Sequence, residues 1–142
     1  MYDRILLPTD GSDANNRAVE QAVGLARETG ADLHVLFVLE DIPYAPEMMD
    51  DAMEGQLREI GEATIEDIEG RAGEAGIDVV TEIREGAPHT TILEYAEAAD
   101  VDAIVMGTHG RSGLDRYLLG SVTERVVRTA DVPVLTVRME DD

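Results

Sequence analysis

Two periods alternate along this chain: short apolar runs bounded by Gly, Pro and Asp, and stretches in which apolar residues recur every three or four positions. The first marks buried strands and the second amphipathic helices. Ile5-Leu6-Leu7 is the first run and ends in Pro8-Thr9-Asp10-Gly11-Ser12, a turn leading into a helix N-cap near Ser12. Ala18, Val19, Ala22, Val23, Leu25 and Ala26 then form one broad stripe, and Gly30 is placed to end that helix. Leu33 to Leu39 is a second strand, apolar except at His34. Glu40 to Pro46 carries two prolines and reads as loop. Beyond it Met49, Met53, Leu57, Ile60, Thr64, Ile68 and Ala72 predict a long helix closed by Gly76, with Met48, Met49 and Met53 as flexible core filling. Ile77 to Arg84 alternates as a third strand, and Gly86-Ala87-Pro88 opens a helix over Ile92, Leu93, Tyr95 and Ala96. Ala103-Ile104-Val105-Met106 is a fully buried fourth strand. A glycine-rich segment from Gly107 to Gly120 leads into a helix with Val122, Val126 and Val127, and Pro133 to Val137 is a fifth strand.

Five strands alternating with four helices imply right-handed βαβ crossovers. The expected fold is α/β, a doubly wound five-stranded parallel sheet of strand order 3-2-1-4-5 with helices on both faces, in a single domain over residues 1–142. In such sheets ligands lie outside the carboxyl ends of the strands, where the strand order reverses. The loops after strands one, two and four are therefore the ones to search.

Charge narrows the partners. The 142 residues hold 31 Asp and Glu against 11 basic residues, all of them Arg, for a net −20. That field repels nucleic acid backbones and anionic membrane surfaces, so neither is an expected partner. Without lysine there is no phosphate loop of the GxxxxGK[ST] kind, no kinase strand lysine and no pyridoxal Schiff base. Without cysteine there is no disulfide, thiolate zinc site or cysteine nucleophile. The first residues lack a basic stretch followed by a long apolar core, and no window nears the ~20 apolar residues of a membrane span, so a cytoplasmic protein is expected. A lysine-free acidic surface suits a halophilic protein in a cytoplasm of molar salt; an acidic-bodied mesophilic protein is the alternative.

The chemistry gathers after strand four, where Gly107-Thr108-His109-Gly110 and Gly120-Ser121 give the spacing G-x2-G-x9-G-S. Glycines at 107 and 110 permit sharp turns without Cβ obstruction, and Gly120 and Ser121 put amides and a hydroxyl at a positive helix N-terminus, a place for phosphate. Ser121 with Glu124 also forms a capping-box pattern, which a helix uses with or without a ligand. Residues 107 to 130 carry a local +2 from Arg111, Arg116, Arg125 and Arg128 against Asp115 and Glu124, which leaves −22 on the other 118. The basic island coincides with the glycine motif, although Arg125 and Arg128 also suit a solvated helix face.

Ile104 to Arg111, Leu119-Gly120-Ser121-Val122-Thr123 and Pro133 to Val137 closely resemble the universal stress protein family, in its ATP-binding branch. Ile5 to Ser12 and the Gly86-Ala87-Pro88 loop match as well, so the resemblance covers nearly the whole chain, and the intact G-x2-G-x9-G-[ST] pattern is the one that separates ATP binders from non-binders in that family. The resemblance implies that Thr9, Asp10 and the backbone near Val38 hold adenine and ribose. Gly107, Gly110 and Arg111 would line ribose and phosphates, with Gly120, Ser121 and Val122 at the outer phosphates and Mg2+ or Mn2+ on the phosphates. It also points to a homodimer built on the final strand, which lies at a sheet edge in the expected order. Asp10 suits a ribose hydroxyl or a metal-bound water, with a cap on the helix that starts near Ser12 as the alternative.

No GxSxG elbow, HExxH or metal-spaced His cluster appears. His34 reads as core or surface, His89 as solvated at a helix start, and His109 lies within the glycine loop. ATP hydrolysis is expected to be slow at most, and three readings follow: an ATP-binding stress-response regulator, a nucleotide-free dimerisation or scaffold module, and a slow phosphohydrolase.

Overall fold

The computed structural model describes residues 2–11, 15–40, 51–108 and 120–138. The elements run β1 (Arg4–Thr9), α1 (Asn16–Thr29), β2 (Asp32–Glu40), α2 (Asp51–Glu74), β3 (Val79–Gly86), α3 (Pro88–Ala98), β4 (Ala103–Gly107), α4 (Ser121–Thr129) and β5 (Val134–Val137). The sheet order is β3-β2-β1-β4-β5, with every pair parallel, as the alternation of elements predicts.

Side-chain parity explains why the strands are apolar throughout rather than alternating. Ile5 and Leu7 of β1, Leu33, Val35 and Phe37 of β2 and Val105 of β4 point to one face, where α1 (Ala18, Val19, Ala22) and α2 (Ile65, Ile68, Ala72) cover them. Leu6, Leu36, Ile104 and Met106 point to the other, under α3 (Ile92, Tyr95) and Val126 of α4. A parallel sheet covered on both faces needs apolar residues of both parities.

Helix ends follow from local chemistry. Gly30 and Gly76 adopt φ of 75°, each just past a helix. At the end of α2 the Ile77 N–H donates to the Ala72 carbonyl at 2.9 Å and the Gly76 N–H to the Gly73 carbonyl at 3.1 Å, a Schellman pair that turns the Ile77 side chain into the core. Ile77 thus belongs to the helix stop, and β3 starts at Val79 rather than at Ile77 as its alternation predicts. At the N-termini one expectation lies outside the described residues and one is corrected. Helix α1 as described begins at Asn16, with Asn15 in the cap position, and Ser12 lies outside the described residues. The capping box at Ser121 is not made: Gly120 is the cap, Ser121 is already the first helical residue, and Glu124 pairs with Arg128 one turn on. Of the methionines assigned to α2, Met48 and Met49 lie outside the described residues, as does the side chain of Met53.

His34 resolves as core. It is 8% exposed, and its Nδ1 and the Tyr95 hydroxyl, itself buried on α3, are hydrogen-bonded at 2.8 Å. The Arg84 guanidinium lies 4.9 Å from the Tyr95 ring centroid and pairs with Glu82 at 3.1 Å. Burial, and then Arg4, hold the His34 pKa below its ordinary 6.5, against the opposing pull of Asp32. A depressed histidine is bound neutral by the fold, so its contribution to stability is present above the unfolded value and is lost as pH falls through the folded one. Denaturant midpoints are therefore expected to drop as pH falls from about 6.5 downward. Tyr95→Phe should be less stable by about 1–2 kcal/mol at pH 8, because His34 Nδ1 is left buried without its partner. Equal midpoints for the two proteins at pH 8 would refute the assignment.

Candidate functional site

Strands β1 and β4 run side by side, with Ile5 opposite Ala103 and Leu6 opposite Ile104; Thr9 and Gly107 each lie three residues further on. Because the chain builds β2 and β3 to one side of β1 and β4 and β5 to the other, the strand order reverses between β1 and β4. The crevice outside their carboxyl ends is where this class of sheet takes ligands. Phe37 pairs with Thr9, which puts Val38 at the same edge, half-buried against the α3 and α4 side.

The glycine segment is tied at its base. The Gly120 N–H donates to the Thr108 carbonyl at 2.7 Å, and the Thr123 hydroxyl donates to the Gly107 carbonyl at 2.9 Å. These bonds hold the first turn of α4 against the end of β4, so Gly107, Gly120, Ser121 and Val122 share one edge with Thr9, Asp10 and Val38. Gly110 and Arg111 lie outside the described residues, as does His109. Gly120 as cap brings no side chain to the first-turn amides, whose lack of intrahelical partners is common to all helix starts. The α4 dipole leaves that end positive.

On the β1 side the Thr9 hydroxyl, 7% exposed, accepts from the Gly11 N–H at 3.2 Å, and the Asn15 side-chain amide donates to Asp10 Oδ1 at 2.7 Å. Asp10 is thus held by the residue at the start of α1. A cleft of about 220 Å³ opens beside Thr9 between α1 and α2, lined also by Gly11, Asn15, Thr64, Asp67 and Ile68. Its polar groups are engaged within the protein: Thr64 donates to the Ile60 carbonyl and Asp67 pairs with Arg71.

The basic island divides. Arg128 is paired with Glu124 along the exposed face of α4, the solvated role. Arg125 Nη1 lies 3.5 Å from His89 Nδ1 at the start of α3, so His89 is half-buried beside a cation rather than simply solvated. Arg111 and Arg116 lie outside the described residues. No group of three His, Cys, Asp or Glu among the described residues is arranged to hold a metal ion, and no helix among them is long and apolar enough to cross a membrane.

Two residues of this edge escaped the sequence reading, Asn15 and Thr123. Asn15 belongs to no linear motif and Thr123 only closes the run Leu119 to Thr123 without an assigned role, and each acts on a partner by a contact that only the fold creates. The one signal for Thr123 is its hydroxyl in the third position of a helix that follows a glycine cap.

Comparison with known proteins agrees with this architecture. The universal stress protein MJ0531 of Methanocaldococcus jannaschii is 38% identical over 141 residues, which cover 97% of this chain and 83% of the relative. The solved structure of MJ0577 superposes with a TM-score of 0.87 at 31% identity, covering 100% of this chain and 99% of that one. A universal stress protein solved in complex with cAMP has a TM-score of 0.73 at 28% identity, covering 98% of each chain. The family model described as "Universal stress protein family" matches residues 1–138. With that coverage and these shared elements, the chain belongs to the universal stress protein family.

Proposed function

We propose that this protein is an ATP-binding stress-response regulator, with the nucleotide held at the carboxyl ends of β1, β2 and β4. The observation that carries the reading is the meeting of the β4 end and the α4 N-terminus at the reversal of strand order, with the Thr108 carbonyl accepting from the Gly120 N–H at 2.7 Å. Thr9, Asp10 and the main chain at Val38 take adenine and ribose. Gly107, Gly110 and Arg111 line ribose and phosphates, and Gly120, Ser121 and Val122 receive the outer phosphates. A phosphate at this helix start meets amides and the positive end of the dipole. The family member solved with cAMP supports an adenine nucleotide as the ligand class. In a protein of net charge −20, Mg2+ or Mn2+ arriving with the phosphates offsets like-charge repulsion without a protein cage.

Regulation with at most slow ATP hydrolysis is the role, since the sequence has no lysine to act on a transferring phosphoryl group. The protein works in a high-salt cytoplasm, as a homodimer through β5. That strand pairs only with β4 among the described residues, and Leu135 is 44% exposed on it. Twofold pairing supplies partners for its bare edge.

The test is to denature purified protein and identify any released ligand by mass spectrometry, then to titrate ATP calorimetrically in molar salt. An adenine nucleotide and saturable heat are expected. Neither signal, from folded protein, would leave the nucleotide-free scaffold standing. Light scattering on the same samples should give a dimer for wild type and a monomer for Leu135→Asp/Thr136→Arg; a monomeric wild type at micromolar concentration rejects the β5 interface.

A further inference from the structure

We propose that Thr123 is a positioning residue for the phosphate end of this site, and that its hydroxyl sets how the site ranks nucleotides by phosphate number. The inference rests on the nucleotide reading above. Thr123 is 5% exposed, and its Oγ1 donates to the Gly107 carbonyl at 2.9 Å across sixteen residues of chain. A threonine hydroxyl within a helix ordinarily bonds back to a carbonyl three or four residues earlier. Here it leaves its own helix to reach the end of β4.

The bond acquires its meaning from what else holds that peptide. The Thr108 N–H, in the same peptide unit as the Gly107 carbonyl, donates to the Val137 carbonyl of β5 at 2.9 Å. Both polar groups of the Gly107–Thr108 peptide are therefore engaged, one from α4 and one from β5, and the plane cannot rotate without breaking one of them. The next carbonyl, that of Thr108, accepts from the Gly120 N–H at 2.7 Å. Two hydrogen bonds thus fix the distance and angle between the β4 end and the first turn of α4, and the third holds the same peptide to β5. The amides of Ser121 and Val122 ride on that turn.

Removing the hydroxyl leaves the Gly107 carbonyl buried without this donor, so the peptide turns or water enters, and α4 moves relative to β4. Amides aimed at phosphates lose more by such a shift than the contacts of Thr9, Asp10 and Val38, which lie at the ends of β1 and β2. The loss should grow with the number of phosphates and be small for adenosine.

Three variants test this by calorimetric titration of ATP, AMP and adenosine in molar salt, with folding checked by circular dichroism. Thr123→Ala removes the hydroxyl. Thr123→Val also removes it and puts a methyl near the carbonyl oxygen at a distance shorter than the usual C···O contact, so the two variants delete the bond in different ways and one folded variant suffices. Thr123→Ser keeps the hydroxyl. Thr123→Ala is expected to bind ATP roughly tenfold more weakly and adenosine within about twofold of wild type, with Thr123→Ser close to wild type for both. Equal losses for ATP and adenosine, or no loss for either, would overturn the positioning role while the nucleotide reading stands. If wild type binds no adenine nucleotide at all, the nucleotide reading falls and the role of Thr123 falls with it.

Discussion

Gly120→Val should remove measurable ATP binding while leaving the protein folded. The backbone at Gly120 has φ −62° and ψ 151°, an extended conformation that any residue adopts, so the missing side chain is not required by the chain path. Its N–H donates to the Thr108 carbonyl and its carbonyl accepts from the Glu124 N–H at 2.9 Å, and valine retains both groups. Valine is a poorer cap than glycine, a loss of about 1 kcal/mol or less, which a folded domain withstands. What valine adds is a branched Cβ beside the amides of Ser121 and Val122, where a phosphate oxygen must come within hydrogen-bond distance.

Ser121→Ala sets the scale. It deletes one hydroxyl donor to a charged group and keeps the amide, which at ~1.5–3 kcal/mol corresponds to roughly 10- to 100-fold in affinity. Titration in molar salt should therefore give a weakened but measurable ATP affinity for Ser121→Ala and none for Gly120→Val. Unchanged affinity in both folded variants would remove the phosphates from this edge, whatever else the protein binds.

The fold was legible because its physical cause repeats. The inner strands β1, β2 and β4 are covered on both faces, so their apolar runs are continuous, and every crossover is helical, so the order 3-2-1-4-5 follows from handedness and the switch after β3. The errors are local and have local reasons. Ile77 matches a strand alternation, yet the Schellman turn at Gly76 takes it first. Ser121-x-x-Glu124 matches a capping box, yet the bond from Gly120 to Thr108 starts the helix one residue earlier and turns Glu124 to Arg128. The candidate site was legible only where it is linear. Glycine spacing and the Thr9-Asp10 turn can be read from the sequence; the Asn15 amide on Asp10 and the Thr123 hydroxyl on Gly107 exist only once β1, β4 and α4 meet.

The same dependence on close approach makes the packing of α2 sensitive to added volume. Phe37, 1% exposed, lies between Gly61 of α2 and Gly11 in the turn after β1. A Cβ at Gly61 of α2 would lie 2.8 Å from the Phe37 ring, and one at Gly11 would meet the ring at 3.3 Å and Ile60 and Thr64 at 2.9 Å. Substitution at Gly61 therefore drives Phe37 toward Gly11 and the turn that carries Asp10. Gly61→Val is expected to destabilise the protein by about 3 kcal/mol, the upper part of the range for overpacking a core. For Gly61→Ala the overpacking is partly offset by the ~1 kcal/mol gain in helix propensity, which leaves a net loss of about 1 kcal/mol. Gly70 of α2 supplies the control: nothing lies within 4 Å of its Cβ position, so Gly70→Ala should stabilise by roughly 0.5–1 kcal/mol through propensity alone. Pairing Gly61→Ala with Phe37→Leu should cost less than the two single changes added, by at least ~0.5 kcal/mol, because the smaller side chain vacates the contested volume. Urea unfolding in molar salt measures all five variants, Phe37→Leu alone included. A Gly61→Ala protein stabilised as much as Gly70→Ala would show that α2 does not press on Phe37, and additivity in the double variant would show that the two positions are not in contact.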